Sequence, residues 1–334
     1  MRSNRTTGGR HRLALAAALM LGLAAAAAQA ETKLRVGVGT APLSPEALAL
    51  KEMARLAAER SNGDLVIEVF DSDQLGESVS QIENLQLGTQ DMHSNVADWY
   101  QYLDQDWAAL AMPFLFGGVE HVQRFQQTDT YARWKQEMID KHGIRMLADN
   151  WYRLPRVLLT TTPVFRPEQL EGMKLRMPNI DTYISTWSAL GAKPTAIAYS
   201  EAFLAIKTGT VSGMEAPLSG IYSQKFYQAA PYVTLTHHQI APYTVLISEM
   251  IWQKLTPEQQ AIVEQAAKDA GDRYYRSILD SFDEQKAKML SEGTAFIEVD
   301  RAPFADRVEE VIKAFEADGK LSKGLVEQIR GLAS

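Results

Sequence analysis

One stretch limits the architecture of this chain more than any other. Thr256-Pro257-Glu258 opens a helical pattern that runs without an internal proline to about Leu290. A threonine cap, a proline at the first helical position and an acid in the first turn are start signals. Ile262, Val263, Ala266, Ala267, Ala270, Tyr274, Ile278 and Phe282 follow at helical spacing. Some 30 residues at ~1.5 Å each give a helix about 45 Å long, more than one small domain needs. A helix spanning two domains accounts for the length. A coiled coil is the other reading, but the apolar spacing is not a clean heptad repeat. Gly271 is the one weak spot. The chain of 334 residues also suggests two domains at ~100–200 residues each.

Ahead of that helix, strands and helices alternate. Leu34, Val36 and Val38 read as a first strand. Ser44-Pro45-Glu46 starts a helix whose face carries Leu50, Met53, Ala54 and Ala57, and Asn62-Gly63 ends it. Leu65 to Phe70 is a second strand. Ser78 to Leu87 is a helix stopped by Gly88, and Asp91 to Val96 is a third strand. Further strands are expected at Ile144–Leu147, Val157–Thr160, Lys174–Met177 and Phe296–Val299. Helices are expected at Thr182–Leu190, Ser200–Thr208, Phe304–Ala317 and Ser322–Gly331. This alternation implies an α/β fold with largely parallel sheets. No internal repeat or low-complexity linker is visible, so ordered crossings must join the domains.

The N-terminus has the three parts of a secretory leader. Arg2, Arg5, Arg10 and Arg12 precede an apolar run from Leu13 to Ala28, and Ala28-Gln29-Ala30 is an A-x-A cleavage site. A membrane anchor is the competing reading, but the run is barely long enough and ends in small residues. Residues 1–30 are therefore expected to be removed. The leader carries four arginines and no acid, so cleavage takes the formal charge from −7 to −11. An acidic chain argues against broad electrostatic binding of nucleic acid. There is no cysteine, which excludes disulfides, thiolate metal sites and a lipid anchor on an N-terminal cysteine. The mature protein is expected to be periplasmic, free of the membrane and monomeric.

Catalytic motifs are missing. No G-x-S-x-G elbow and no G-x-x-x-x-G-K-[ST] loop occur, and Gly37 and Gly39 lack the third glycine of a dinucleotide fingerprint. His237 and His238 are adjacent, which in a strand points them to opposite faces. No spacing points to a metal, and no cofactor is expected.

The most informative segment is Gln169-Leu170-Glu171-Gly172-Met173-Lys174-Leu175-Arg176-Met177-Pro178-Asn179. Leu190-Gly191-Ala192-Lys193-Pro194-Thr195 and Ala198-Tyr199-Ser200-Glu201 follow it. This run resembles the solute-binding proteins of tripartite ATP-independent periplasmic (TRAP) transporters, the DctP-like family. Asp73-Gln74-Leu75-Gly76, Leu85 to Met92, Met112-Pro113-Phe114-Leu115-Phe116 and Gln224-Lys225-Phe226-Tyr227 extend the resemblance over essentially all of 33–334. It implies two α/β domains of the periplasmic-binding-protein type, with a ligand cleft between them, joined by crossing strands and a long helix. The expected domains are 33–154 plus 243–281 and 155–242 plus 282–334.

The resemblance also implies a site. The arginine of its K-[LIV]-R-x-P motif, here Arg176, holds the ligand carboxylate. An arginine fork offers two parallel donors that match a carboxylate. A permanent internal ion pair is the competing reading. A second family arginine lies twenty residues earlier, at Arg156; Arg153 competes for the role, and spacing favours Arg156, with a solvated or structural arginine as the alternative. Tyr199 matches a position that lays a ring on the ligand, with a core tyrosine as the alternative. Glu77 is placed to reach the cleft or to stand as an exposed helix-start acid, and Trp99 and Trp151 are candidate walls, with the core as their alternative. Many members carry an asparagine in E-N-P where this chain has Glu215-Ala216-Pro217, so Ala216 replaces a ligand-holding side chain. Trp99 stands where sialic-acid binders carry an arginine, which implies a smaller or more apolar acid.

The expected function is capture of an organic acid for a TRAP membrane permease by cleft closure around an arginine-held carboxylate, with no bond broken. A secreted two-domain enzyme acting on such an acid, or a binding protein feeding a sensor kinase, are the alternatives.

Overall fold

The computed structural model describes residues 31–333; the expected leader, residues 1–30, lies outside them. The strands are β1 (Thr32–Gly37), β2 (Leu65–Phe70), β3 (Met92–Val96), β4 (Ile144–Trp151), β5 (Arg156–Thr160), β6 (Lys174–Met177), β7 (Lys193–Ala196), β8 (Gly213–Pro217), β9 (Tyr232–Thr234), β10 (Tyr243–Ser248) and β11 (Ala295–Ile297). They form two sheets, β2-β1-β3-β10-β4 and β11-β9-β5-β8-β6-β7, one in each lobe.

Both sheets are mixed, where the sequence implies largely parallel ones. The exceptions have one cause. The chain leaves the first sheet between β4 and β5 and returns between β9 and β10. Each crossing strand enters its new sheet from the other lobe and runs against its neighbours. Thus β5 is antiparallel to β8 and β9, and β10 to β3 and β4. The remaining pairs, β1 with β2 and β3, β6 with β7 and β8, and β9 with β11, are parallel.

The long helix is real and spans Pro257–Ser291, 35 residues, or about 52 Å. Thr256 caps it: its hydroxyl accepts from Gln259 N, and the Gln259 side chain accepts from Thr256 N. Val263, Ala266, Ala267, Ala270, Tyr274 and Ile278 pack into the first lobe's core. Further along, Met289 and Phe282 join a core cluster of the second lobe. One rigid rod therefore touches both hydrophobic centres.

Gly271 is a seat rather than a weakness. A Cβ there would lie 2.4 Å from Trp151 Cδ1, so the bare backbone lets the indole press against the helix. Trp151 is fully buried, and its Nε1 donates to Ala267 O at 2.9 Å.

The C-terminal stretch divides its packing. The expected domains put 282–334 wholly in the second. Phe304 and Val308 do pack there, but Ile312, Phe315, Leu325, Val326 and Ile329 join the first lobe's core. The reason is the apolar face of the closing helices, anchored where His121 Nε2 meets Ile329 O at 2.7 Å.

Candidate functional site

A cavity of about 530 Å³ lies between the lobes. The first lobe contributes Glu46, Asp73, Glu77, Asn95, Asp98 and Trp99. The second contributes Arg156, Arg176, Tyr183 and Tyr199. Arg153 and Tyr243, at the two crossings, form its floor. Asp98 ties the lobes together beside the cavity: its Oδ2 accepts from Tyr183 Oη at 2.6 Å and from Gln239 Nε2 at 3.1 Å.

Three buried arginines face this space in different electrostatic states. Arg156, 6% exposed, is satisfied by Glu215, which is fully buried. Its Nη2 donates to Glu215 Oε1 at 2.7 Å and its Nε to Oε2. Burial opposes both charges, and each overrides that penalty for the other. Glu215 is held far below the carboxylate range and Arg156 above its ordinary value.

Arg176, 4% exposed, projects from β6 with one hydrogen bond, Nε to Ile197 O at 2.8 Å. No described carboxylate lies within ion-pair distance of it. Burial pushes its pKa down to about 10, against the pull of Glu215. Its guanidinium stands 5.4 Å from the Tyr199 ring. The internal ion pair weighed for Arg176 therefore belongs to Arg156.

Acids line the opposite wall. Glu77 is the N-cap residue of helix Ser78–Leu87, yet its carboxylate does not cap that helix, so it is left for the cleft. Asp73 sits in a left-handed turn, φ 60°. Gly39 makes room for it, since a Cβ there would come within 2.7 Å of Asp73 Oδ1. Burial, then the charge of Glu77, raises the Asp73 carboxyl above its usual range.

Asn95 is aimed by a buried histidine. His93 Nδ1 lies 3.0 Å from Gly37 O, so that nitrogen carries the proton, and Nε2 accepts from Asn95 Nδ2 at 3.3 Å. Burial pushes His93 down to about 4, and the Gly37 carbonyl only partly opposes this. The unfolded chain binds this proton near pH 6.5 and the folded one only near 4. Stability is therefore present above about 6.5 and lost as pH falls toward 4, by about 3 kcal/mol at 1.36 kcal/mol per unit. Thermal unfolding from pH 7 to 4 is expected to show this slope, steepened by His238, which shifts the same way. His93→Gln is expected to flatten it; an unchanged slope would assign it elsewhere.

Of the residues expected from sequence, Arg176, Arg156, Tyr199, Glu77 and Trp99 all reach the cavity. Trp99 is half-buried and stacks on Tyr102 at 6.0 Å. Gly220 accommodates Tyr199, whose Oη would lie 2.8 Å from a Cβ there. Two expectations are corrected. Trp151 is not a wall: it points away, into the long helix. Ala216 does not reach the ligand space either. Alternation along β8 sends Glu215 toward Arg156 and Ala216 into the apolar core beside Val157. Sequence reasoning missed Asp73, Asn95 and Glu46. Glu46 was legible only as a helix-start acid, yet it is buried and accepts from Tyr274 Oη at 2.9 Å.

Two α/β lobes, joined at crossings and facing a cleft with an uncompensated buried arginine, define a periplasmic-type binding protein. Residues 36–318 match the model of bacterial extracellular solute-binding protein family 7. A solute-binding protein of Roseobacter denitrificans is 34% identical over 257 residues, 76% of this chain and 78% of its own. The sialic acid-binding periplasmic protein of Vibrio cholerae is 29% identical over 279 residues, 82% of this chain and 85% of its own. The crystal structure of a TRAP periplasmic solute-binding protein from Roseobacter denitrificans, with bound L-galactonate, superposes with a TM-score of 0.83. It has 31% identity and covers 91% of this chain and 99% of its own. One from Ochrobacterium anthropi with bound L-fuconate gives 0.85 at 27% identity, covering 91% and 100%. The chain belongs to this family, the periplasmic solute-binding proteins that capture organic acids for TRAP transporters. It is a binding protein and not an enzyme, which sets aside the catalytic alternative.

Proposed function

We propose that this protein captures a hydroxylated organic acid, with the ligand carboxylate on Arg176 and the ring of Tyr199 against it. The observation that carries the reading is Arg176 itself: buried, bonded once and without an acid partner. An ionised carboxylate supplies the missing charge and takes two donors in a plane. Asp73, Glu77 and Asn95 across the cleft supply acceptors for hydroxyl groups. This wall favours a polar acid over the more apolar one that Trp99 implied. The relatives solved with L-galactonate and L-fuconate support the same class. Arg156 serves by fixing the strand ends around Glu215, and Trp99 closes one side.

Ligand held by both walls is bound only when the lobes are together, so binding shifts the population toward the closed form. We take the leader to direct export and the mature protein to act as a monomer that delivers its ligand to the membrane subunits.

Titration calorimetry on the mature protein tests this. At least one of galactonate, fuconate, galacturonate and glucuronate is expected to bind with sub-millimolar affinity and to be recovered unchanged. The neutral polyol galactitol is expected to bind at least ~30-fold more weakly, the cost of leaving a buried charge unpaired. Equal binding of galactitol and galactonate, or no binding of any acid, would remove the proposal.

A further inference from the structure

We propose that Arg153 forms a second anion position in the cleft and that the captured ligand is a hydroxylated dicarboxylate. This rests on the reading of Arg176 as the first carboxylate position.

Arg153 lies in the crossing segment between β4 and β5, is 5% exposed and lines the cavity. Its Nε and Nη2 are fully enclosed and have no hydrogen-bond partner. No described carboxylate lies within ion-pair distance of it. Glu46, which shares its surroundings near Tyr243 and Tyr274, is occupied by the Tyr274 hydroxyl at 2.9 Å. Arg153 is thus the most deprived cation of the three. Arg156 has Glu215, and Arg176 has at least the Ile197 carbonyl.

A buried guanidinium with no partner is unfavourable, and an acceptor entering the cavity relieves it. A monocarboxylate seated on Arg176 leaves that cost in place. A second carboxylate on the same ligand supplies the missing counter-charge at the part of the guanidinium open to the cavity. The two guanidinia are held at different places. Arg153 stands 5.2 Å from the ring of Tyr243, on β10 of the first sheet, whereas Arg176 stands over Tyr199 of the second lobe. Each ring backs one face of its guanidinium; at Arg153, where Nε and Nη2 are enclosed, Nη1 is the donor left open to the cavity for a carboxylate. The acids that line the same cavity, Asp73 and Glu77, would repel a bare hydrocarbon diacid and would be left unpaired by it. Hydroxyl groups on the connecting carbons give Asp73 and Glu77 donors to accept from, which is why the ligand must be hydroxylated.

The test is calorimetry with galactarate and tartrate, hydroxylated dicarboxylates of six and four carbons, against galactonate and galacturonate. In the wild-type protein one dicarboxylate is expected to bind at least tenfold tighter than either monocarboxylate. Arg153→Gln is expected to weaken that dicarboxylate at least 30-fold and the monocarboxylates no more than threefold, and Arg153→Lys to recover part of the loss. Arg176→Met is expected to remove both classes. Monocarboxylates that bind as tightly as the dicarboxylates overturn the second position while leaving Arg176 in its role. So does an Arg153→Gln loss that is equal for both classes. If no acid binds, or if Arg176→Met changes nothing, the first position fails and the second with it. The wild-type comparison needs no variant, so misfolding of Arg153→Gln would not rescue the proposal.

Discussion

Arg176→Met is expected to abolish ligand capture while leaving the unliganded protein as stable as before, or more so. The two halves of this result have one cause. Arg176 is buried without a counter-charge, so the folded protein carries a desolvation cost that the ligand later offsets. Methionine keeps much of the volume and removes the charge. Truncating one partner of a buried, hydrogen-bonded charge pair costs about 2–5 kcal/mol of binding, or roughly 30- to 5,000-fold at ~1.4 kcal/mol per decade. A structural ion pair behaves oppositely, losing stability when either member is removed. Thermal unfolding with and without acid separates the two. A midpoint that falls in the unliganded variant, or a ligand-induced rise that survives, would contradict the clamp.

The second large effect is one of stability. Glu215→Gln is expected to cost about 3–5 kcal/mol, because it strands Arg156 in the interior with an amide where a carboxylate was. In a protein of this size that is roughly a 10 °C drop in midpoint. The paired replacement Glu215→Leu with Arg156→Met removes both charges and is expected to recover most of the loss. If the double variant is no better than the single one, the pair is not what holds β5 against β8. The sign with pH follows from the depressed carboxyl. Its contribution is complete above the unfolded value of about 4.5 and is lost only as pH falls below that, toward the folded value. The decline expected between pH 6.5 and 4.5 therefore belongs to the histidines, and Glu215 adds to it only below that.

Much of this was legible in the chain because it is local. The cap at Ser44, the stop at Gly88, which is left-handed with φ 67°, and the long helix after Thr256 are each written within a few residues. Arg176 was legible only through the resemblance, by its place in the K-[LIV]-R-x-P motif; its residues alone fitted an internal ion pair as well. The choice between Arg153 and Arg156 was not legible. Spacing favoured Arg156, but what decides their states is Glu215, 59 residues further on and brought alongside by the pairing of β5 with β8. Nothing near either arginine in sequence announces that pairing. Trp151 failed for a related reason: its partner, Gly271, was visible as an anomaly in the long helix, but only the fold joins the two. The mixed sheets follow from crossings that periodicity does not reveal.

The interleaving of the two sheets also sets an order of events during synthesis. In the first sheet, β10 lies between β3 and β4, so the lobe that begins at Thr32 has a gap in its middle until Ser248 has been made. The second sheet waits for its edge strand β11, and both cores wait for the rod Pro257–Ser291. Neither core can close before that rod is made, and a chain halted at residue 242 would hold two unfinished halves. A nascent chain built this way stays open through most of its length, the state in which a polypeptide can still be threaded across a membrane.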